Sequence, residues 1–325
     1  MGAISKMMQY FKFSIGLLVL LLVGAFGAPR AQAEQRQFRL KSYGNEVAYN
    51  YQWADLQQQV HKLGFNLPQY LVQKGASEFQ PFEEAKATAY IQQRITAQGG
   101  SLAPGVQIIF DDGNATTGFG YKVRATSQDG VANMTVAGQK VQALLAEYLS
   151  TIFMHFQDAD GKFIVPDYKR IVERYTVPMR PVALAMRRDL MGLDSRAQFN
   201  YILSFFQSIP YDRLESRATS NGSGFATPFE VLTRNRGDCD SKTVAMISLL
   251  RNFFPQLRMI MILIPEHAFL GVELPQGPGD FALGVEGRRY VLADPTGPGL
   301  YPLGQVTDRS QELLREHEYQ YVKFP

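Results

Sequence analysis

Cysteine is nearly missing from this sequence. There is one among 325 residues, Cys239, so the chain cannot close a disulfide on itself. No cysteine lies near the N-terminus, which excludes a lipid-anchored lipoprotein. No set of His, Cys, Asp and Glu has the spacing of a metal site, and nothing calls for a cofactor. Runs of one charge are missing as well. The formal net charge is +3, small and evenly spread, and there is neither a basic run nor a zinc-knuckle pattern, so nucleic acid is not an expected partner. Internal repeats are absent.

A hydrophobic share of 46% and a charged share of 19% are those of a globular protein with a real core. The length leaves room for one large domain or two ordinary ones. At the N-terminus, Lys6 and Lys12 lead an apolar run from Phe13 to Ala28, and Ala31-Gln32-Ala33 is a small-x-small site before Glu34. A secretory signal peptide over 1–33 is expected, placing the protein in a bacterial periplasm or outside the cell. The alternative is an uncleaved anchor helix, which would be the only route to a membrane. Asn114-Ala115-Thr116 and Asn133-Met134-Thr135 match glycosylation acceptors, relevant only in a eukaryotic secretory host.

After the leader, Gln37 to Trp53 reads as two strands around Tyr43-Gly44-Asn45, with Val47, Tyr49, Tyr51 and Trp53 alternating with polar residues. Helices are expected from Pro81 to Gln98 and from Val136 to Phe156, with a hairpin between them around Asp112-Gly113-Asn114. Val141, Leu144, Leu145, Tyr148, Ile152 and Phe156 share one face of the second helix. Asp158-Ala159-Asp160-Gly161 then reads as a turn, since the later ligands of a calcium loop are missing. A boundary between an N-terminal α/β region (34–160) and a C-terminal region (161–325) is expected there. Pro166 to Met191 reads as two helical pieces broken near Pro178 and Pro181. Asp194 or Ser195 caps the next helix, which Pro210 stops. The stretch RLESRATSNGSGFATP then reads as a long surface loop.

Asp238 is an N-cap candidate for a helix whose Val244, Ile247, Leu250 and Phe254 form a buried face. Cys239 therefore sits in a first turn, among unpaired backbone N–H groups that favour a thiolate. Asp238 and Asp240 oppose that effect. Beyond the helix, RMIMILI is an apolar strand, His267 opens the strand HAFLGVEL, and Phe281–Val285 and Arg289–Ala293 form a hairpin closed by Asp294. Read as an antiparallel meander, this order is expected to bring the start of one strand and the end of the strand two along to the same rim, where Asp294 holds His267 and His267 faces Cys239. A thiol needs a base to become a nucleophile, and a carboxylate fixes the imidazole's tautomer. Taken singly, each residue has a plain structural reading: a buried thiol, a strand-end histidine, a turn aspartate. Their joint order is what carries weight. His61, His155 and His317 stand in ordinary helical or surface contexts.

The pieces FFQSIPYD, TPFEVLTRNRGDCDSKTVAMISLLR, EHAFLGVEL and RRYVLADPTG resemble the transglutaminase-like superfamily, in particular its bacterial transglutaminase-like cysteine proteinases. The region before them resembles nothing nameable. The resemblance implies an α+β, papain-like/transglutaminase-like domain in which a Cys-bearing helix packs on an antiparallel sheet. It implies Cys239 as nucleophile, His267 as base and Asp294 as the orienting acid, with an upstream oxyanion donor for which Gln207 and Tyr211 are the candidates. Many relatives carry an acidic residue two positions after the cysteine; here Ser241 stands there. The implied chemistry is acyl transfer through a thioester, with a protein or peptide amide as substrate. Two other readings stay open: a binding or assembly module on the same fold, and a structural domain with an inert thiol.

Overall fold

The computed structural model describes residues 33–111, 119–157, 164–216 and 224–325. The leader through Gln32, the Asp112-Gly113-Asn114 turn, the Asp158-to-Gly161 turn and the middle of the loop before Cys239 lie outside the described residues. The fold is mixed α+β with antiparallel sheets.

Alternation in the first strands reports their burial directly. Strands β1 (Glu34–Tyr43), β2 (Glu46–Ala54) and β3 (Val60–Pro68) form one antiparallel sheet in that order. Val47, Tyr49, Tyr51 and Trp53 of β2 and Leu63, Phe65 and Leu67 of β3 enter the core. The sequence reading lacked β3, whose apolar residues are interleaved with Gly64 and polar side chains, and the helix α1 (Gln69–Glu78) behind it. Helix α2 spans Glu84–Ala97. Strands β4 (Val106–Phe110) and β5 (Tyr121–Ala125) make the expected hairpin.

Helix α3 runs from Gln128 to Thr151, starting a full two turns before the expected Val136 and ending before Phe156. Its start is set by Ser127, whose hydroxyl accepts from the N–H of Gly130. Gly130 hides this start in the sequence because glycine is a poor helix former. It is needed there because a Cβ would stand 1.9 Å from the Gly105 carbonyl oxygen. Beyond α3, β6 (Met154–Phe156) pairs with β7 (Ile164–Pro166), so a hairpin crosses the expected boundary. Residues 31–325 form one compact unit, and a single apolar cluster runs from Val47 to Phe324.

Helices α4 (Tyr168–Thr176) and α5 (Arg180–Leu190) are the two pieces expected around Pro178 and Pro181. Helix α6 (Ser195–Ser208) is capped by Asp194, which accepts from Ala197 N–H at 2.8 Å. At the end of the expected long loop the chain forms a helix that the sequence reading lacked, α7 (Pro228–Arg234). Thr227 and Glu230 close it with a capping box and Pro228 takes a first-turn position. Helix α8 (Cys239–Leu250) is capped by Asp238 as expected. From Ser241 to Leu250 it is buried on every side, however, rather than on one face. It packs against α4, α7 and strand β9. No described helix is long and apolar enough to cross a membrane.

The second sheet departs from a meander. Strands β8 (Met259–Ile264), β9 (His267–Val272), β10 (Ala282–Val285), β11 (Arg288–Ala293) and β12 (Gln320–Phe324) lie in the order β10-β11-β9-β8-β12. In a meander β9-β10-β11, the third strand would end at the rim opposite the start of the first. Here β11 lies directly antiparallel to β9, with Ala293 opposite Leu270, and β10 is pushed to the edge. This correction to the expected topology is what brings Asp294 to the rim where β9 begins. Helix α9 (Asp308–Arg315) covers the sheet face that α8 does not, over a second apolar cluster of Ile260, Ile262, Phe269, Leu292, Leu313 and Leu314.

Candidate active site

Three elements end at one place: the start of α8, the start of β9 and the chain leaving β11. His267 Nε2 lies 2.8 Å from Asp294 Oδ2. Asp294 is buried, and its Oδ1 accepts from the Thr296 N–H at 3.0 Å. Burial alone would raise the Asp294 pKa; the hydrogen bond and charge of His267 outweigh it and hold the carboxyl below its usual range. Burial likewise pulls His267 down, and the bond to Asp294 more than reverses this, leaving its pKa above the ordinary histidine value. With Nε2–H committed to the carboxylate, Nδ1 is left as the basic nitrogen.

Cys239 is partly exposed. The backbone N–H groups of Ala268, the residue after His267, and of Asp240 act on its sulfur to lower its pKa. This places the thiol beside the opening of β9. Those donors favour a thiolate, but burial, followed by the charges of Asp240 and Asp238, wins and pushes the thiol's pKa up. The helix-start argument alone is therefore outweighed, and the resting sulfur holds its proton. Asp238 and Asp240 are both raised by burial, Asp238 further by its neighbour's charge. Asp240 also accepts from the Tyr168 hydroxyl at 2.9 Å.

The two oxyanion candidates separate. Gln207 is buried, and its amide nitrogen donates to the carbonyls of Asp294 and Tyr301, each at 2.8 Å. Both amide hydrogens are thereby used, so Gln207 braces the Asp294 loop instead of offering a donor to substrate. Gly297 presses on the same residue: its φ is +65°, and a Cβ would stand 2.3 Å from the Gln207 carbonyl oxygen. Tyr211 is half-exposed, bridges Gly237 along the backbone, and has its pKa raised by burial and then by the charges of Cys239 and Asp238. Of the two candidates, only the Tyr211 hydroxyl donates to no backbone carbonyl among the described residues, and the charge of Cys239 reaches it.

Ser241 is fully buried, and its Oγ accepts from the Ala226 N–H at 2.8 Å. The position thus ties α8 to the segment before α7. The N-terminal strand also reaches the site. Gln35 and Asn235 exchange amide hydrogen bonds of 2.9 and 2.6 Å, four residues before Cys239. Ala33 N–H donates to the Pro298 carbonyl at 2.7 Å. A cleft of about 600 Å³ opens on the far side of His267, lined among others by Asp294, Thr296, Pro298, Tyr301 and Arg309. Among the described residues no cluster of three or more His, Cys, Asp or Glu is arranged to hold a metal ion.

Sequence reasoning missed Lys242, whose side chain is fully buried one turn after Cys239. The signal was available: Lys242 is the one basic residue of α8, just before its apolar run begins. No family model, curated protein or solved structure matches this chain.

Proposed function

We propose that the protein is a thiol-dependent hydrolase or acyltransferase acting on protein or peptide amides. The papain-like, transglutaminase-like arrangement is part of the same reading, as is export to the periplasm or beyond through the N-terminal leader. The observation that carries the reading is the His267–Asp294 hydrogen bond beside the only thiol of the chain.

The reaction runs in two halves. His267 Nδ1 takes the Cys239 proton as the sulfur attacks the amide carbonyl carbon, so the thiol need not be ionised beforehand. Negative charge collects on the carbonyl oxygen, where the Tyr211 hydroxyl and the backbone N–H groups at the start of α8 supply donors. Collapse breaks the C–N bond; the amine leaves with the proton from His267, and a thioester remains on Cys239. Water then completes hydrolysis, or a second amine completes transfer, with His267 as base again.

The test is the pH dependence of Cys239 alkylation by iodoacetamide in the wild type and in His267→Ala. The expected rate in the wild type climbs as the pH rises through the elevated His267 pKa and exceeds the variant at least tenfold near pH 7. The same profile in both proteins sinks the catalytic reading. A second reading, a binding module with an idle thiol, draws support from the elevated Cys239 pKa, and that identical profile is what it requires.

A further inference from the structure

Lys242 has no part in the triad, yet among the described residues no other lysine or arginine is buried. Its ammonium donates to two backbone carbonyls, those of Ile209 and Thr296. Thr296 lies two residues after Asp294 and Ile209 two residues before Tyr211. Thr296 is the residue whose N–H holds the Asp294 carboxylate. Ile209 ends α6 and leads through Pro210 into Tyr211, while Gly237 N–H donates to the Pro210 carbonyl and Asp212 N–H to the Gly237 carbonyl. The negative groups facing the ammonium are Asp294, Asp238 and, when ionised, Cys239. A lysine so placed is poor design for stability alone. Desolvation of the ammonium costs free energy that a methionine of similar length would not. That cost shows as a pKa pulled down to about 7, against the opposing pull of the three negative groups.

We propose that Lys242 is a positioning residue of the thiol site. It ties the Asp294 loop to the segment leading into Tyr211, so that Asp294 keeps His267 aligned while Tyr211 stays within reach of the charge of Cys239. The proposal rests on the thiol chemistry proposed above. It adds that this chemistry depends on a buried amine that touches neither substrate nor sulfur. Even a neutral amine retains two N–H donors for the two carbonyls, so the role survives partial deprotonation.

The experiment uses the full chain with Lys242→Met, which keeps length and removes both donors, and Lys242→Gln, which keeps a shorter donor. Cys239 alkylation by iodoacetamide is followed against pH, beside urea unfolding of each protein. Lys242→Met is expected to slow alkylation at pH 7 at least tenfold and to move the midpoint of the profile away from the wild-type value, with Lys242→Gln between. In an Asp294→Asn background the same substitution is expected to cost less than threefold, because the group it acts through is already lost. An unchanged profile in a folded Lys242→Met protein, or a full tenfold loss in the Asp294→Asn background, overturns the proposal. A wild type whose profile ignores His267 overturns the catalytic reading first, and the two failures are thereby distinct. If neither variant folds, the side-chain amine resonance of Lys242 in lysine-labelled wild type decides. It is expected to shift on carboxamidomethylation of Cys239, and a stationary resonance overturns the proposal.

Discussion

The two large sheets bury apolar surface in different ways. Sheet β1-β2-β3 has one buried face, and the aromatic side chains of β2 deliver their polar tips across it. Tyr49 Oη meets Thr233 Oγ1 at 2.7 Å, Tyr51 Oη donates to the Leu232 carbonyl at 2.5 Å, and Trp53 Nε1 donates to Ser204 Oγ at 3.0 Å. These contacts grip α6 and α7, the helices on either side of the loop before Cys239. Sheet β10-β11-β9-β8-β12 is covered on both faces, by α8 and its neighbours on one side and the α9 cluster on the other. A sheet sealed on both faces offers chemistry only at its rim, and His267 and Asp294 lie there. One sheet thus acts as buttress, the other as platform.

Substitutions at the platform rim should change reactivity, and substitutions in the buttress should change stability alone. The largest effect is expected for Asp294→Asn. The shape is kept, but the neutral amide no longer enforces the His267 tautomer, and amide-bond turnover should fall by at least ~10²-fold. Turnover within a few-fold of wild type would remove Asp294 from the site. Gly297→Ala comes next. Its Cβ would meet the Gln207 carbonyl at 2.3 Å with φ at +65°, and urea denaturation should show a loss of about 2–3 kcal/mol together with slower alkylation. A neutral substitution there would mean that the loop does not need this close approach.

In the buttress, Tyr51→Phe leaves the Leu232 carbonyl without its donor and should cost about 1–2 kcal/mol, while the pH profile of Cys239 stays put. A moved profile would erase the distinction between the two sheets. The smallest effect is the pH dependence of the stability that His267 adds, measured against His267→Gln. Its folded pKa is raised, so its contribution is full below the unfolded value of about 6.5 and fades as pH rises through the folded one. Asp294 is depressed, so its share is present above about 3.9 and fades as pH falls through its folded pKa. The advantage over the variant is therefore greatest between those limits. A constant difference from pH 5 to 9 would dissolve the pair.

Much of the platform was legible because its signals are local. Asp238 and Asp194 cap the helices they precede, and Glu286-Gly287 turns the last hairpin. The alternation in β2 reads straight through to burial. What was illegible depends on partners distant in sequence. Gly130 looks like a helix breaker until Gly105 is beside it. Gln207 looks like a free donor until the carbonyls of Asp294 and Tyr301 claim it. The fully buried α8 reads as one-faced because Ser241, Lys242, Thr243 and Ser248 are polar; Ser241 and Lys242 find partners far along the chain, while Thr243 and Ser248 donate to carbonyls one turn back in α8 itself. Strand order was illegible for the same reason, since alternation fixes a strand's faces but not its neighbours.

The insertion of β11 between β9 and β10 also has a meaning in time. The Glu273–Phe281 connection must carry the chain past the place that β11 will fill, so the β9–β11 pairing closes a loop and forms late relative to the β10–β11 hairpin. Until it forms, His267 has no carboxylate and Cys239 faces an unaligned imidazole. A partly folded or locally opened chain would then carry only an ordinary thiol. On the catalytic reading, the sheet works as a safety catch: the last strand to slot home is the one that arms the nucleophile.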